Sequence, residues 1–382
     1  MKDMKDMKDI RAEIDALDHD LARLFVRRLE IVGEVAASKA ARGASVTDPA
    51  RERAILSRVA EEVGPDYENG ARLFFSTLFG ISKARQRTMI GGGAPLVRDI
   101  AAAGRDRFPG RAVVACAGTE GSYAQQAVSL MFPLPTILYF NAFEKVFESV
   151  EQDLCPYGVL PIENSAAGSV AAVYDLMLKH HFHIARAIRL KVDHVLLAPR
   201  GVKMEDVREI SSHPHALAQC AAFLKAHPEI KAVPETNTAV AAKALAASGR
   251  TDVAVIAARA CAELYGLDVI AEGIADTAAN YTRFICISKG LEVYPDANKF
   301  SISLSLPHRP GALSGIISKF AAIDVNLTKI ESRPIPGMDF EVRFTLDFEA
   351  PPTDPNVLAL LAELSQDPDI EHFQFLGAYA EK

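Results

Sequence analysis

The first long helix of this chain demands a partner. Ile10, Ile14, Leu17, Leu21, Leu24, Arg28, Ile31 and Val35 recur at steps of four and three, the spacing that keeps one helical face against another helix. Position 28 places a cation in the seam where an aliphatic residue is expected, and Lys39 follows about three turns later on nearly the same side. A buried guanidinium is costly unless it meets an anion. The face is therefore either built to hold something negative inside a helical bundle, or Arg28 carries its charge past the seam to water.

Distance narrows the arrangement. In one straight helix Arg11 and Lys39 stand ~42 Å apart, whereas Arg28 and Lys39 are ~16 Å apart, within reach of a ligand lying between long side chains. Arg11 can join that ligand only from a second, antiparallel copy of the helix, so the cation spacing points to a dimer with shared sites. A second helix opens at Thr47-Asp48-Pro49 and stops at Gly64-Pro65. A third, from about 68 to 89, carries its own seam of Phe75, Phe79, Ser82, Gln86 and Met89, with polar residues among the aromatics.

This module, residues 1–90, resembles the all-helical chorismate mutases. The resemblance rests on Arg11, Arg28, Lys39, the segment Asp48-Pro49-Ala50-Arg51-Glu52, and Ser82 with Gln86, the last two after a one-residue shift in the third helix. It implies a three-helix fold whose first helix crosses a dimer. It also implies that Arg11 of one chain and Arg28 of the other hold the two carboxylates of chorismate. Lys39 and Gln86 would face the ether oxygen, Asp48 and Glu52 the ring hydroxyl, and Arg51 and Ser82 would complete the site. Such a rearrangement needs no nucleophile and no proton transfer; it needs a compressed conformer and donors at the oxygen that gains charge.

Gly91-Gly92-Gly93 ends the helical pattern, and residues 91–110 are expected to form a linker. From Arg111 to about Gly290 short apolar runs such as Val113–Cys116, Tyr157–Leu160, Val253–Ile256 and Phe284–Ile287 alternate with helical stretches such as 216–226 and 238–247. That rhythm predicts an α/β domain with largely parallel sheets. Small polar residues crowd the predicted strand ends: Gly118-Thr119-Glu120-Gly121-Ser122-Tyr123, Pro161 through Ser169, and Thr236-Asn237-Thr238. Ligands of such sheets gather at strand ends and helix N-termini, although each segment alone reads equally as capping and tight turns. Neither a GxGxxG nor a P-loop pattern occurs.

Taken together, Gly118–Tyr123, Pro161–Ser165, Ser212-His213-Pro214 with Gln219-Cys220, and Thr282-Arg283-Phe284 closely resemble prephenate dehydratase across 111–290. The resemblance implies two α/β lobes around a cleft, as in bacterial solute-binding proteins. Thr282 would be the catalytic residue, and Ser122, Glu163, Asn164, Ser165, Gln219 and Phe284 would belong to the prephenate site. Arg283 would meet a substrate carboxylate or serve as a structural ion-pair partner. A threonine hydroxyl is a poor general acid at neutral pH, so Thr282 reads as a hydrogen-bond donor or relay to the leaving oxygen.

The tail, 299–382, is predicted as βαββαβ, the ferredoxin-like order: a strand at 300–306, a helix from Pro310-Gly311 to about 322, strands near 325–333 and 339–348, a helix at about 355–365 and a last strand near 370–377. It resembles an ACT domain, a small amino-acid-sensing module. By that resemblance Gly311-Ala312-Leu313, Asn326 and Glu331-Ser332-Arg333-Pro334 would bind phenylalanine. The whole chain thus reads as a multidomain protein: an all-α module, a two-lobed α/β module and an α+β effector module. The implied activity is bifunctional, chorismate to prephenate and prephenate to phenylpyruvate, with feedback by phenylalanine that reaches the mutase less because of the glycine linker. A dehydratase whose helices only dimerise, and a non-catalytic solute sensor, are the alternatives.

Bulk properties agree. A length of 382 residues suggests two or three domains, and a net charge of -7 argues against nucleic-acid binding. No apolar run of about eighteen residues predicts a membrane span, and the MKDMKDMKD start lacks the apolar core of a signal peptide. The five cysteines are widely spaced, which fits a reducing cytoplasm rather than a disulfide framework. The clusters His180-His181-Phe182-His183 and His213-Pro214-His215 lack ligand spacing, so no metal and no cofactor is expected. The expected partners are chorismate, prephenate, phenylalanine and a second copy of the chain, with pairing of dimers into tetramers left open.

Overall fold

The computed structural model describes residues 6–42, 46, 48–90, 94–277, 279–335 and 342–382. Thr47, Gly91–Gly93 and the first residues of the strand expected at 339–348 lie outside the described residues.

Three helices come first: α1 (Met7–Arg42), α2 (Pro49–Val63) and α3 (Glu68–Ile90). Asp48 caps α2 by accepting from the Arg51 amide at 3.0 Å, with Pro49 in the first turn. Phe79, Ser82 and Gln86 of α3 are buried. The seam of α1 is not: its apolar members, from Ile10 to Val35, are 37% to 63% exposed. One chain therefore leaves this helix with its apolar face uncovered.

Residues 94–110 depart from the expected linker. A helix, α4 (Ala94–Ala102), forms there and buries Ile100, and Ala103 is buried just after it, in the same core as Phe300, Ile302 and Leu361 of the C-terminal module. The segment is apolar on one face and finds a face to cover. Paired backbone bonds between Ala103, Arg105 and Val293, each 2.9 Å, fix it in place.

The central module has two lobes. The first contains β1 (Arg111–Ala117), α5 (Tyr123–Met131), β2 (Leu134–Phe140), α6 (Phe143–Glu151), β3 (Tyr157–Asn164), the short β4 (Gly168–Ser169), α7 (Ala171–His180) and β5 (His183–Lys191). The second contains β6 (His194–Pro199), β7 (Glu209–Ser212), α8 (Pro214–Gln219), α9 (Ala221–Ala226), β8 (Lys231–Pro234), α10 (Thr238–Ser248), β9 (Val253–Ala258), α11 (Ala260–Tyr265) and β10 (Leu267–Ala271). The chain then returns to the first lobe as β11 (Tyr281–Ser288). The helix expected at 216–226 is split at Cys220 into α8 and α9. The second lobe is one five-stranded sheet in the order β10-β6-β9-β7-β8. Both sheets are mixed rather than largely parallel. β11 re-enters from the other lobe and must slot between β3 and β5 antiparallel to both, while β6 runs antiparallel to β9 and β10.

The C-terminal module has the expected order: β12 (Lys299–Leu306), α12 (Ala312–Ala322), β13 (Leu327–Pro334), β14 (Val342–Glu349), α13 (Pro355–Ser365) and β15 (Glu371–Glu381). It is not a separate body. β15 pairs in parallel with β5 through Ala380↔Arg186 and Glu381↔Ala187, so one ten-stranded sheet runs β13-β14-β12-β15-β5-β11-β3-β1-β2, with β4 on β3. Leu376 and Tyr379 of β15 are buried in the core of the first lobe. Gly377 makes that contact possible: at φ +147°, a Cβ there would lie 2.5 Å from the Ile184 carbonyl oxygen.

The helical module is tied to the C-terminal one by an ion pair. Arg87 of α3 meets Asp367, just past α13, at 2.9 Å, with side chains 8% and 11% exposed. Lys319 of α12 also reaches Asp367, at 3.4 Å, and Glu363 at 2.6 Å. Burial alone would raise the Asp367 pKa, but Arg87 and Lys319 outweigh it and hold it below the ordinary value.

Candidate active sites

In the helical module α1 and α3 bring Arg28 to Ser82. Arg28 Nη1 donates to Ser82 Oγ, and the serine hydroxyl donates to the Leu78 carbonyl at 2.6 Å. The guanidinium also lies 5.9 Å from the centroid of the Phe79 ring. No carboxylate among the described residues pairs with Arg28, and burial lowers its pKa from the ordinary value. One turn on, Gln86 Nε2 donates to the Ser82 carbonyl at 3.3 Å, while its buried Oε1 has no partner among the described residues. Lys39 Nζ donates to the Val46 carbonyl at 2.8 Å.

Glu52 is held by Lys83 at 3.2 Å, a cation the sequence reading missed although it follows Ser82 directly. Asp48 is spent on the α2 cap, and Arg51 is exposed. Arg11 is exposed on the uncovered face of α1, about 26 Å of helix from Arg28. The chain thus brings Arg28 together with Ser82, and Lys83 with Glu52, and leaves Arg11 apart from both.

The second site lies where the two lobes meet. Thr282 of β11 pairs in register with Asn164 at the end of β3. Asn164 Nδ2 lies within hydrogen-bonding distance of Thr282 Oγ1 at 2.9 Å, Asn280 Oδ1 at 2.8 Å and the Tyr281 carbonyl at 3.2 Å. Its Oδ1 accepts from the amides of Ala166 and Ala167, each at 2.9 Å, which fixes the carboxamide orientation. The Thr282 oxygen is therefore an acceptor toward Asn164, and its proton is free to donate elsewhere. Ser165 Oγ accepts from the Tyr281 amide at 2.9 Å and locks the turn beside it. Ser122 caps α5, accepting from the Gln125 amide at 3.3 Å. The loop before it packs on the other lobe: Gly121 has φ +86°, and a Cβ there would lie 2.9 Å from Cys261 Sγ. Gln219 reaches the same region from α8, its Oε1 3.0 Å from His194 Nε2. The crossings between lobes are joined by Val192 N donating to Asn280 O at 2.8 Å.

Three expected site residues lie elsewhere, two of them for one reason. Successive strand residues face opposite sides of a sheet, so Glu163 and Arg283, the neighbours of Asn164 and Thr282, face away from them, whereas Phe284, two residues from Thr282, is withdrawn by burial. Glu163 pairs with Lys329 of β13 at 3.1 Å. Arg283 is buried against Asp347 at 2.6 Å and Glu381 at 2.5 Å, the structural ion-pair role. Burial works against its charge, but Tyr379, Asp347 and Glu381 outweigh burial and raise its pKa. Phe284, 3% exposed, packs in the core beneath α5 with Val128 and Cys286. The Glu163 and Arg283 side of the sheet instead forms a charged cavity of about 180 Å³, lined also by Lys299, Lys329 and Asp347, between the dehydratase-like lobe and the C-terminal sheet.

In the C-terminal module Gly311, at φ +82°, opens α12 without a side-chain cap. Ala312 and Leu313 are half-buried, whereas Asn326 and Ser332 are exposed. Glu331 and Arg333 face the central module rather than this opening. Glu331 meets Lys329 at 3.0 Å and Ser169 Oγ at 2.5 Å, and Arg333 meets Asp175 at 3.0 Å. The two histidine clusters are structural: His180 meets Glu151 at 3.2 Å, and His213 caps α8. All five cysteines are free and buried.

Fold and geometry define a two-lobed α/β protein with an amide–hydroxyl pair where the lobes meet, preceded by a three-helix module. The family model for prephenate dehydratase matches residues 114–291, and that for chorismate mutase type II matches residues 10–87. The chain is 39% identical over 256 residues to an Arabidopsis thaliana protein named arogenate dehydratase/prephenate dehydratase 2, chloroplastic, covering 64% of this chain and 67% of that one. Among solved structures, the Arthrobacter aurescens prephenate dehydratase in complex with L-Phe is 32% identical, with TM-score 0.63, over 70% of this chain and 90% of that chain. A chain described as GqqA, a novel type of quorum quenching acylases, is 28% identical with TM-score 0.63, over 71% of this chain and 98% of that one. The chain belongs to the prephenate dehydratase family and carries a chorismate mutase type II module at its N-terminal end.

Proposed function

We propose that this chain is a bifunctional enzyme of phenylalanine biosynthesis. It rearranges chorismate to prephenate in the helical module, converts prephenate to phenylpyruvate in the two-lobed module, and is inhibited by phenylalanine through an ACT module. The observation that carries the second activity is the Asn164–Thr282 pair. Prephenate loses carbon dioxide from its ring carbon and the ring hydroxyl from the opposite carbon. The electrons of the broken C–C bond complete the aromatic ring, and the hydroxyl takes up a proton and leaves as water. Asn164 occupies the acceptor side of Thr282, so the threonine proton is directed at the departing oxygen, where developing charge makes a fixed donor most effective.

In the mutase site the ether C–O bond breaks as a C–C bond forms. Arg28, with no carboxylate partner among the described residues, supplies a cation for a substrate carboxylate. Lys39 supplies a donor for the ether oxygen, joined by the second amide N–H of Gln86, the first being given to the Ser82 carbonyl, and Glu52 and Asp48 are assigned to the ring hydroxyl. Arg11 of a second chain completes the site, and burial of the α1 seam drives the pairing. The same pairing would set Gly311–Leu313 of one C-terminal module opposite the Asn326 and Ser332 region of its partner and hold phenylalanine between them.

The working division is a mutase module at 1–90, a dehydratase module at 111–290 and an effector module at 299–382 that has annexed α4. Lys319 and Arg87 share Asp367, so movement of α12 reaches α3 one residue from Gln86. Phenylalanine therefore acts on both activities. No described helix is long and apolar enough to cross a membrane, and free buried thiols suit a reducing cytoplasm. The test is incubation of purified protein with chorismate. Phenylpyruvate as product supports both activities, accumulation of prephenate supports the mutase alone, and unchanged chorismate with turnover of added prephenate leaves only the dehydratase. Arogenate in a parallel assay measures whether the second substrate named for the plant relatives is accepted.

A further inference from the structure

Gln219 is oriented by a residue outside the set the family resemblance assigns. Its carboxamide oxygen lies 3.0 Å from Nε2 of His194. On the other side of the ring, Nδ1 lies 3.3 Å from the Tyr123 hydroxyl, which donates to the Asp193 carbonyl at 2.8 Å. The two rings meet edge to face with centroids 5.7 Å apart. His194 is 3% exposed and is the first residue of β6, just after the chain crosses between lobes. Tyr123 belongs to the first lobe and Gln219 to the second. One buried imidazole therefore touches both lobes at their hinge.

A carboxamide has one accepting end and one donating end, and the end presented to a ligand is decided by what holds the other. An amide oxygen can only accept, so Nε2 carries the single proton of this buried ring. The Tyr123 proton goes to the Asp193 carbonyl, so Nδ1 meets that hydroxyl oxygen only as a 3.3 Å contact, and the 3.0 Å bond to Gln219 decides the tautomer. The Gln219 NH2 group has no other partner among the described residues and is left to offer donors to the cleft. We propose that His194 is a positioning residue of the dehydratase: it fixes the amide polarity of Gln219, so that the cleft presents N–H groups to a carboxylate or keto oxygen of the substrate. This rests on the reading of the cleft as a prephenate site. The consequence is selective. Removing the imidazole donor frees Gln219 to turn its oxygen toward a substrate oxygen, and repulsion replaces attraction.

The test is a double-mutant cycle with prephenate as substrate. His194→Phe keeps the ring and its contact with Tyr123 but removes the donor. It is expected to lower kcat/KM roughly tenfold, the scale of one lost hydrogen bond, chiefly through KM. His194→Gln places an amide N–H where Nε2 stood and is expected to recover most of the loss. His194→Asn puts its amide at the Nδ1 position and is not. In a Gln219→Leu background His194→Phe should add nothing, because the residue it acts through is gone. Equal losses with and without Gln219 would overturn the proposal, as would full activity in His194→Phe. The ring tautomer, read by 15N NMR of histidine-labelled protein with His194→Phe for assignment, needs no turnover. An Nε2-protonated ring supports the positioning role even if prephenate is not consumed, an outcome that would count against the proposed function alone. An Nδ1-protonated ring overturns the positioning role even in an active enzyme.

Discussion

Replacing Thr282 with valine keeps the branched shape of a residue that is 9% exposed and removes only the hydroxyl. Asn164 Nδ2 loses one acceptor at 2.9 Å but keeps Asn280 Oδ1 and the Tyr281 carbonyl. The folding cost should therefore be about 1 kcal/mol, that of one net hydrogen bond with no donor left orphaned. The catalytic cost is larger, because a fixed donor to an oxygen gaining charge contributes ~2.7–4 kcal/mol to the transition state. Turnover should fall on the order of a hundred- to a thousandfold. Steady-state phenylpyruvate formation gives kcat and KM separately, and KM should move less, since the contact strengthens as the oxygen departs. Chorismate consumption by the same preparation is an internal control and should be unchanged. Thr282→Ser should retain part of the rate. A Thr282→Val enzyme with wild-type kcat would refute the assignment, and a loss confined to KM would recast the hydroxyl as a binding group.

Four further outcomes are expected. Arg28→Ala should abolish mutase activity and spare the dehydratase, and mixed dimers of Arg11→Ala and Arg28→Ala chains should recover some chorismate conversion; verified heterodimers without recovery would exclude a shared site. Arg283→Met should cost about 3–5 kcal/mol in thermal or urea unfolding, because Asp347 and Glu381 are left as buried charges without their main partner. Attraction from Arg283, Lys299 and Arg189 outweighs burial and holds the Glu381 pKa below its ordinary value. A depressed carboxyl stabilises the fold above its unfolded pKa and loses that contribution as pH falls through the folded one, so wild-type stability should drop below about pH 4, and less steeply in Arg283→Met. Asp367→Asn should leave phenylalanine inhibition of the dehydratase in place and weaken that of the mutase; equal inhibition of both activities in the variant would remove the Arg87–Asp367 link from the regulation.

Patterning along the chain was sufficient for much of this protein. The heptad-like seam of α1, the capping of α2 by Asp48 and the βαββαβ order of the tail are local regularities, and local regularities are written in spacing. Arg28, Ser82 and Gln86 could be singled out because polar residues at seam positions stand out against their neighbours, whereas Asn164 and Thr282 were picked out only by the resemblance to prephenate dehydratase. The one-residue alternation of a strand could not be resolved in the same way. Glu163 and Asn164 are adjacent in sequence, as are Arg283 and Thr282, yet each pair is divided between opposite faces of one sheet. Only the pairing of β11 with β3 decides which member meets the cleft and which meets Lys329, Asp347 and Glu381.

Long-range closure was equally beyond a linear reading. The C-terminal module reads as a separable tail ending a chain that pauses near Gly290. In the fold, β15 supplies Leu376 and Tyr379 to the core of the first lobe, Gly377 lets the strands approach, and α4 joins the core of the C-terminal module. The sequence by itself determined which elements form and which residue types could carry the chemistry, because helix and strand periods act over a few neighbours. The tertiary structure alone decided which modules share a sheet, which charges neutralise one another and how His194 reaches Gln219, because those contacts join residues far apart in the chain and are set by packing that no local period encodes.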